Sequence, residues 1–348
     1  PSSGGADVAR ARDNGEMEYL LRSVAMHAPW LRRVWILVNR DDVSPARSSV
    51  EVPSSIAAST IVVDRCSFMP RGTCPTQNSQ SALAFAHLLP GLAEHVIYGH
   101  DDVFLGRECE PMDFFSPEGK PFVWRKGASW GFWTSFWTGN GKGKPHRLYK
   151  QANVVDFPTP MSSGPSPHYW YPQLKSACFA TARKFPEFYA FVGSHSEGRF
   201  DSLAGGISTA NSQEEQPFGW MNHELLITGA GVFRDIDGNS DEANVWHAEV
   251  NLGKQLAFQD AIRDRPRFMN VNTFSEDPAT YQRQIEMFQE GLETMFPKPP
   301  STSRTALATS VFPEAAALVS TFCSPSLRFT STEWYEVYAA HVRAVRPM

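Results

Sequence analysis

Hydrophobic residues recur at helical spacing near the start of the chain and are followed by a short apolar run. Between residues 16 and 28 the apolar side chains fall on one helical face, and Pro29 ends that helix. They are Met17, Leu20, Leu21, Val24 and Ala28. Asp13 and Asn14 stand before the first turn, where their side chains can cap a helix. The run from Val34 to Val38 predicts a buried strand.

Helices and strands continue to alternate as far as residue 124. Further strands are predicted at 61–64 and 96–98, with a helix at 79–89 between them. This order predicts a doubly wound α/β layer, in which a mostly parallel sheet is flanked by helices. Residues 127–164 change to Gly, Pro, Trp and Phe, which indicates an ordered excursion.

The second half of the chain is predicted to be mainly helical. One-face periodicity predicts helices at 172–185, 248–262 and 279–296. Pro172 suits the first turn of the first of these helices. From residue 301 the composition is that of a linker, followed by a short amphipathic helix near 334–342.

Composition excludes several classes of protein. The net charge of −5 argues against a nucleic-acid partner, and no run of 18 apolar residues predicts a membrane span. Five cysteines are too few for a disulfide framework or a paired zinc site. Cys66 and Cys74 are close enough in sequence to form a small disulfide loop, the alternative being two free thiols. A start at Pro1 without an initiator Met indicates a fragment or a processed chain.

Two adjacent acids follow the predicted strand at 96–98. Asp101 and Asp102 would lie outside the carboxyl end of that strand, where open α/β sheets bind ligands. Their oxygens suit Mg²⁺ or Mn²⁺ held against a diphosphate. The alternative is a turn pair or helix cap.

His168 and Arg199 are the other candidates for chemistry. His168 precedes the predicted helix at 172–185, and Arg199 follows it. Together they can supply a proton-transfer group and a bidentate phosphate clamp at one site. Taken alone, each is more often a structural residue.

Four groups of motifs, in order, resemble the Stealth family, which includes the catalytic subunit of N-acetylglucosamine-1-phosphotransferase and bacterial capsule hexose-1-phosphate transferases. The most specific is RDNGEMEYLLRSVAMHAPWLRRVWILVN, which starts at Arg12. The others are QNSQSALAFAHLLPGLAEHVIYGHDDVFLGR, the block PHYWYPQL with FPEFYAF and GRFDS, and the pair RPRFMNVNT and GLETMFPKPPS. The resemblance runs from Arg12 to about Ser301.

The resemblance implies a GT-A-like, Rossmann-like core in a catalytic domain at 1–300, with 301–348 as linker and short helix. It implies transfer of a sugar 1-phosphate from a UDP- or GDP-sugar to a hydroxyl of a glycan or glycoprotein acceptor, which forms a phosphodiester. Mg²⁺ or Mn²⁺ would be the cofactor. Eukaryotic relatives work in the Golgi and bacterial ones make capsule; the sequence does not decide between these compartments, nor whether a homo-oligomer forms.

Family motifs assign roles to particular residues by resemblance. Asp102 would be a metal ligand or base beside Asp101, His168 a proton-transfer or phosphate-contacting group, and Arg199 the phosphate clamp. The substrate side would be formed by Arg12, Asp13, Asn14 and Asn272.

Three features depart from the family pattern. Leu83 stands where the family has a Glu, Thr273 follows Asn272 where the family has an Asp, and the family's first motif is absent. Two alternatives therefore stay open. One is an ordinary GT-A glycosyltransferase that releases a nucleoside diphosphate, and the other is a catalytically inactive protein that binds a glycan or a partner.

Overall fold

The computed structural model describes residues 14–38, 49–70, 73–74, 79–126, 170–184, 189, 221–222, 224–226, 228–236, 255–271 and 277–306. The helices are α1 Glu16–His27, α2 Ser54–Ala57, α3 Ser79–Phe85, α4 Lys175–Lys184, α5 Gln255–Asp264 and α6 Pro278–Met295. Single 3₁₀ turns cover Arg65–Ser67, Ala86–Leu88 and Pro111–Asp113.

The strands are β1 Val34–Val38, β2 Ser49–Pro53, β3 Thr60–Asp64, β4 His95–Tyr98, β5 Val103–Leu105, β6 Phe122–Lys126, β7 Tyr171–Leu174, β8 Val232–Ile236, β9 Phe268–Asn270 and β10 Thr302–Ala306. They pair two by two. β1 with β3 and β6 with β8 are parallel, whereas β2 with β10, β4 with β7 and β5 with β9 are antiparallel. The described part of the chain is thus mixed α/β, and a mostly parallel sheet does not emerge from it.

Helix α1 confirms the opening pattern, because its apolar face is buried at Leu20, Leu21 and Val24. Its start differs from the prediction. The N-cap is Gly15, in the left-handed region at φ 83°, and no side chain caps the first turn. The Asn14 side chain instead bonds to Glu16.

Pro172 does not begin a helix. It lies in β7 opposite Ile97 of β4, and the helix starts three residues later at Lys175. Apolar periodicity alone could not separate the strand from the helix, because the antiparallel partner β4 lies far away in sequence. Residues 302–306 lie where composition indicates a linker, yet they form β10 against β2.

The largest apolar cluster joins α1 to α6 across β5 and β9. Phe288 and Phe296 of the α6 segment pack near Phe104 of β5, with ring centroids 6.3 and 6.0 Å apart. Ser23 of α1 accepts a hydrogen bond from the Leu105 amide at 3.2 Å. Helix α1 is therefore held against the strand that follows the two acids.

Cysteine chemistry is structural in the described residues. Cys66 and Cys74 form a disulfide with Cα atoms 5.6 Å apart. Cys109 and Cys178 are buried thiols, and burial raises the pKa of each to about 12. Neither is a nucleophile at neutral pH, since only the thiolate attacks. No helix among the residues described has both the length and the apolar character to cross a membrane.

Candidate functional site

The two acids occupy the turn between β4 and β5. β4 ends at Tyr98, and the Val103 amide donates to the His100 carbonyl at 3.2 Å, which closes a turn around Asp101 and Asp102. Asp101 is exposed and Asp102 is half-buried. The acids thus follow the predicted strand, but Gly99 and His100 lie between the strand and Asp101.

The backbone of Asp102 is fixed from β9. Its carbonyl accepts one hydrogen bond from the Val271 amide at 3.0 Å and another from the Asn270 side-chain amide at 3.1 Å. Asn270 itself is buried. Two hydrogen bonds from residues far along the chain therefore fix the backbone at the acid pair.

Trp170 packs across the residue before His100. A Cβ added to Gly99 would lie 2.7 Å from the Trp170 ring, closer than a real side chain approaches. The Trp170 carbonyl is held by the Trp124 indole N–H at 2.9 Å. A side chain at position 99 would therefore displace the Trp170 ring, which favours glycine there.

The start of α1 brings a third carboxylate towards the acids. Asn14 is 4 % exposed, and its backbone and side-chain N–H groups donate to the two oxygens of Glu16 at 2.9 and 2.5 Å. The Tyr281 hydroxyl of α6 donates to Asn14 Oδ1 at 2.5 Å. We call Glu16, Asp101 and Asp102 the acidic edge.

Negative charge accumulates at the acidic edge. Desolvation by the surrounding protein raises the pKa of Asp101, and the charges of Asp102 and Glu16 raise it further. Water moderates this effect, because the residue is exposed. An arrangement of this kind favours a positively charged ligand over an anion.

A divalent cation fits the chemistry of the acid pair. Mg²⁺ commonly uses one or two carboxylates, several waters and the phosphates of a substrate. Asp101 and Asp102 supply oxygens of that type. Within the described ranges, no cluster of three or more His, Cys, Asp or Glu side chains could hold a metal by itself.

The structure describes three of the predicted site residues: Asp101 and Asp102 share one turn, and Asn14 binds Glu16, whose charge acts on Asp101. The remaining ones lie outside the described residues, namely Arg12, Asp13, His168, Arg199 and Asn272. Sequence reasoning did not assign a role to Glu16 or to Tyr281. Glu16 follows Asn14 closely in the most specific motif, whereas Tyr281 is 267 residues from Asn14 and gives no signal in the pattern.

Leu83 lies in a small apolar cluster that is separate from the largest one. It is 8 % exposed and packs with Tyr98 and Tyr171, residues of β4 and β7, and with Cys178 of α4. A buried, unpaired carboxylate would be costly there. The leucine thus suits the surroundings that the described residues give it.

Fold and site together define a mixed α/β protein with an acidic edge suited to a cation and its anionic ligand. Residues 10–123 match the family described as Stealth protein CR2, conserved region 2. These residues include α1 and the acid pair.

Curated relatives extend the similarity over most of the chain. Exopolysaccharide phosphotransferase CpsY of Mycobacterium leprae (strain TN) is 30% identical over 302 residues, 86% of this chain and 51% of the relative. CpsY of Mycobacterium tuberculosis (strain ATCC 25618 / H37Rv) is 29% identical over 295 residues, 84% of this chain and 50% of the relative. Exopolysaccharide phosphotransferase cps2G of Lactiplantibacillus plantarum is 37% identical over 115 residues, 33% of this chain and 32% of the relative.

These matches confirm the resemblance to the Stealth family drawn from the motifs, and residues 10–123 carry its conserved region 2. The chain spans about half the length of the CpsY relatives.

Proposed function

We propose that the protein transfers a sugar 1-phosphate, from a hexose or N-acetylhexosamine, from a UDP- or GDP-sugar to a hydroxyl of an acceptor glycan. The single observation that carries this proposal is the acidic edge, formed within the stretch that matches Stealth conserved region 2. The relatives named exopolysaccharide phosphotransferases support the same class of reaction in polysaccharide synthesis.

The bonds that change define the reaction. The acceptor oxygen attacks the β-phosphorus, which carries the sugar, and the bond from that phosphorus to the oxygen bridging it to the α-phosphorus breaks. The acceptor proton passes to a base, UMP or GMP leaves, and the product is a phosphodiester. Most of the catalysis comes from positioning and from stabilising negative charge, since the transferred group needs no covalent chemistry from the protein.

Residues of this chain would divide these tasks. Asp101 and Asp102 would hold Mg²⁺ or Mn²⁺, which when bound neutralises the charge of the diphosphate. The repulsion of Asp101 by the charges of Asp102 and Glu16 supports this assignment, because a cation relieves it. His168 would take the acceptor proton and Arg199 would clamp the phosphate.

Chain connectivity supports the assignment of residues outside the described part. Asn272 directly follows Val271, whose amide binds the Asp102 carbonyl. His168 precedes Trp170 by only two positions, and Trp170 packs on Gly99. Both candidates therefore lie close, in the sequence, to a residue that contacts the acid turn.

A GT-A-like core is the fold that we propose for the whole domain. Its support is the parallel pairing of β1 with β3 and the acids that follow β4. Helix α1 is fastened to β5 beside them through Ser23 and Leu105.

The nucleotide released from a panel of donors tests the proposal. The protein is incubated with each UDP- or GDP-sugar, and the released nucleotide is identified by chromatography. We expect UMP or GMP, and we expect its release to depend on Mg²⁺ or Mn²⁺ and on an acceptor glycan. Asp102→Asn should abolish release. The matched control Asp264→Asn removes an exposed carboxylate paired with Arg263 and should leave release unchanged.

Other outcomes separate the alternatives. UDP or GDP as the product would assign the protein to ordinary glycosyl transfer. Binding of a nucleotide sugar without turnover of any donor would favour the inactive binding protein. Release unaffected by Asp102→Asn would contradict the role of the acid pair.

A further inference from the structure

Asn14 is held by a helix from the far end of the described chain. It is 4 % exposed and lies directly before Gly15, the N-cap of α1. Tyr281 of α6 donates to its side-chain oxygen, and the Gln289 side chain of the same helix donates to its backbone carbonyl at 3.4 Å. α6 therefore holds both the amide and the backbone of this residue.

The direction of the hydrogen bonds in this network follows from chemistry. An ionised carboxylate only accepts hydrogen bonds, so the side of the Asn14 amide that faces Glu16 must be the NH₂ group. Its oxygen then faces Tyr281, whose hydroxyl must donate. Loss of that hydroxyl would leave a buried oxygen without its donor, which is costly.

The network reaches the acidic edge through Glu16. Both of its carboxylate oxygens accept hydrogen bonds from Asn14, which fixes the orientation of the group. Its charge acts on Asp101. In the sequence Asn14 adjoins Arg12 and Asp13, the residues expected on the donor side.

We propose that Tyr281 is a positioning residue of the nucleotide-sugar site, whose hydroxyl orients the Asn14 amide and thereby the segment that enters α1 beside the acidic edge. This inference rests on the proposed function. It assigns to a residue of α6 a role in donor binding that acts through Asn14.

A purely structural role predicts something different, and Tyr19 offers the matched control. Its hydroxyl also joins α1 to α6, by donating to the Gln289 carbonyl at 3.3 Å, but it does not bind the Asn14 side chain. Tyr19→Phe removes a hydrogen bond between the same two helices. If Tyr281 served only packing, the two Tyr→Phe variants would behave alike.

Steady-state kinetics with the nucleotide sugar that proves active in the donor panel separates these roles. Tyr281→Phe should raise the donor KM about ten-fold, as expected when a buried acceptor loses its donor, and change kcat less than about two-fold. Tyr19→Phe should leave both constants within about two-fold. In an Asn14→Ala background, Tyr281→Phe should add almost nothing, because the link is already broken. Equal effects of the two Tyr→Phe variants, or full multiplication of the Asn14 and Tyr281 effects, would overturn the proposal.

A wild-type protein that releases no nucleotide would count against the proposed function. A spectroscopic measurement tests the link between Tyr281 and Asn14 independently of that activity. In protein labelled with ¹⁵N-asparagine, the Asn14 side-chain signal is identified by its loss in Asn14→Asp. Tyr281→Phe should shift or broaden this signal and Tyr19→Phe should not. An Asn14 signal unchanged in Tyr281→Phe would refute the positioning role.

Discussion

Arg22 fastens α1 to the end of α6, and the cost of removing it can be worked from the structure. Its side chain is 6% exposed, and its guanidinium pairs with Glu18 at 2.5 Å and with Glu293 at 2.6 Å. It also donates to the Phe296 carbonyl at 2.9 Å and lies over the Tyr19 ring, 5.0 Å from its centroid. The two glutamates are 45% and 47% exposed.

Removing the buried Arg22 and removing its half-exposed partners Glu18 and Glu293 should lower the free energy of unfolding by different amounts. In Arg22→Met the two glutamates keep their charge but can turn to water, and the new side chain fills much of the space. We expect a loss of about 2 kcal/mol, from the Phe296 carbonyl and the charge-assisted hydrogen bonds.

Removing both glutamates should be worse. In Glu18→Ala combined with Glu293→Ala, the Arg22 charge stays buried without a counter-charge. Breaking a buried pair in this way costs about 3–5 kcal/mol. We therefore expect the double variant to lose more stability than Arg22→Met, although it removes only groups that are half-exposed.

Urea denaturation at neutral pH, followed by circular dichroism, measures both free energies of unfolding. Equal m-values in the variants would show that the transitions are comparable. The reasoning is refuted if Arg22→Met loses more stability than the double variant, since that would make the burial of the charge unimportant.

Three further predictions concern single positions. Gly15→Ala should destabilise by about 1 kcal/mol, since Gly15 has φ 83°, although an added Cβ would meet only Tyr19 Cε2 at an ordinary contact distance of 3.8 Å, and Gly15→Asn should cost less in urea denaturation. Burial, followed by the charge of Arg265, lowers the pKa of His27, so the native state binds this proton more weakly than the unfolded state does. The contribution of His27 is thus present above pH 6.5 and lost as the pH falls below it, and His27→Gln should flatten the fall in Tm between pH 7 and pH 5. Gly99→Ala should cost about 1–3 kcal/mol through overlap with Trp170, and equal costs in wild-type and Trp170→Leu backgrounds would contradict this.

Elements with strong local periodicity are the ones that the sequence predicts well. α1 and α6 have apolar positions on a single face, and β1, β3 and β4 are short apolar runs in the sequence. These signals are contained in neighbouring residues, so no knowledge of tertiary contacts is needed.

Elements that depend on a distant partner were predicted poorly. Pro172 is acceptable both in a first helical turn and in a short strand, and the pairing with Ile97 decides for the strand. β10 lies in a stretch of linker composition and forms because β2, some 250 residues earlier, supplies its hydrogen bonds. The mixed strand pairing follows from partners of this kind.

The candidate site shows the same division. Asp101 and Asp102 are visible in the sequence because two acids follow a strand. The contact of Tyr281 with Asn14 depends on how α6 packs against α1, which no local pattern encodes. The catalytic roles of Asp102, His168 and Arg199 all stay predictions, and the last two residues lie outside the described part of the chain.

The fate of the β-phosphate tests the central claim most directly. The protein is incubated with a metal ion, an acceptor glycan and the active UDP- or GDP-sugar labelled with ³²P at the β-phosphorus. Transfer of a sugar 1-phosphate predicts that the label moves to the acceptor and that the released nucleotide is unlabelled UMP or GMP. Label retained in UDP or GDP, with an unlabelled glycosylated acceptor, would contradict the account.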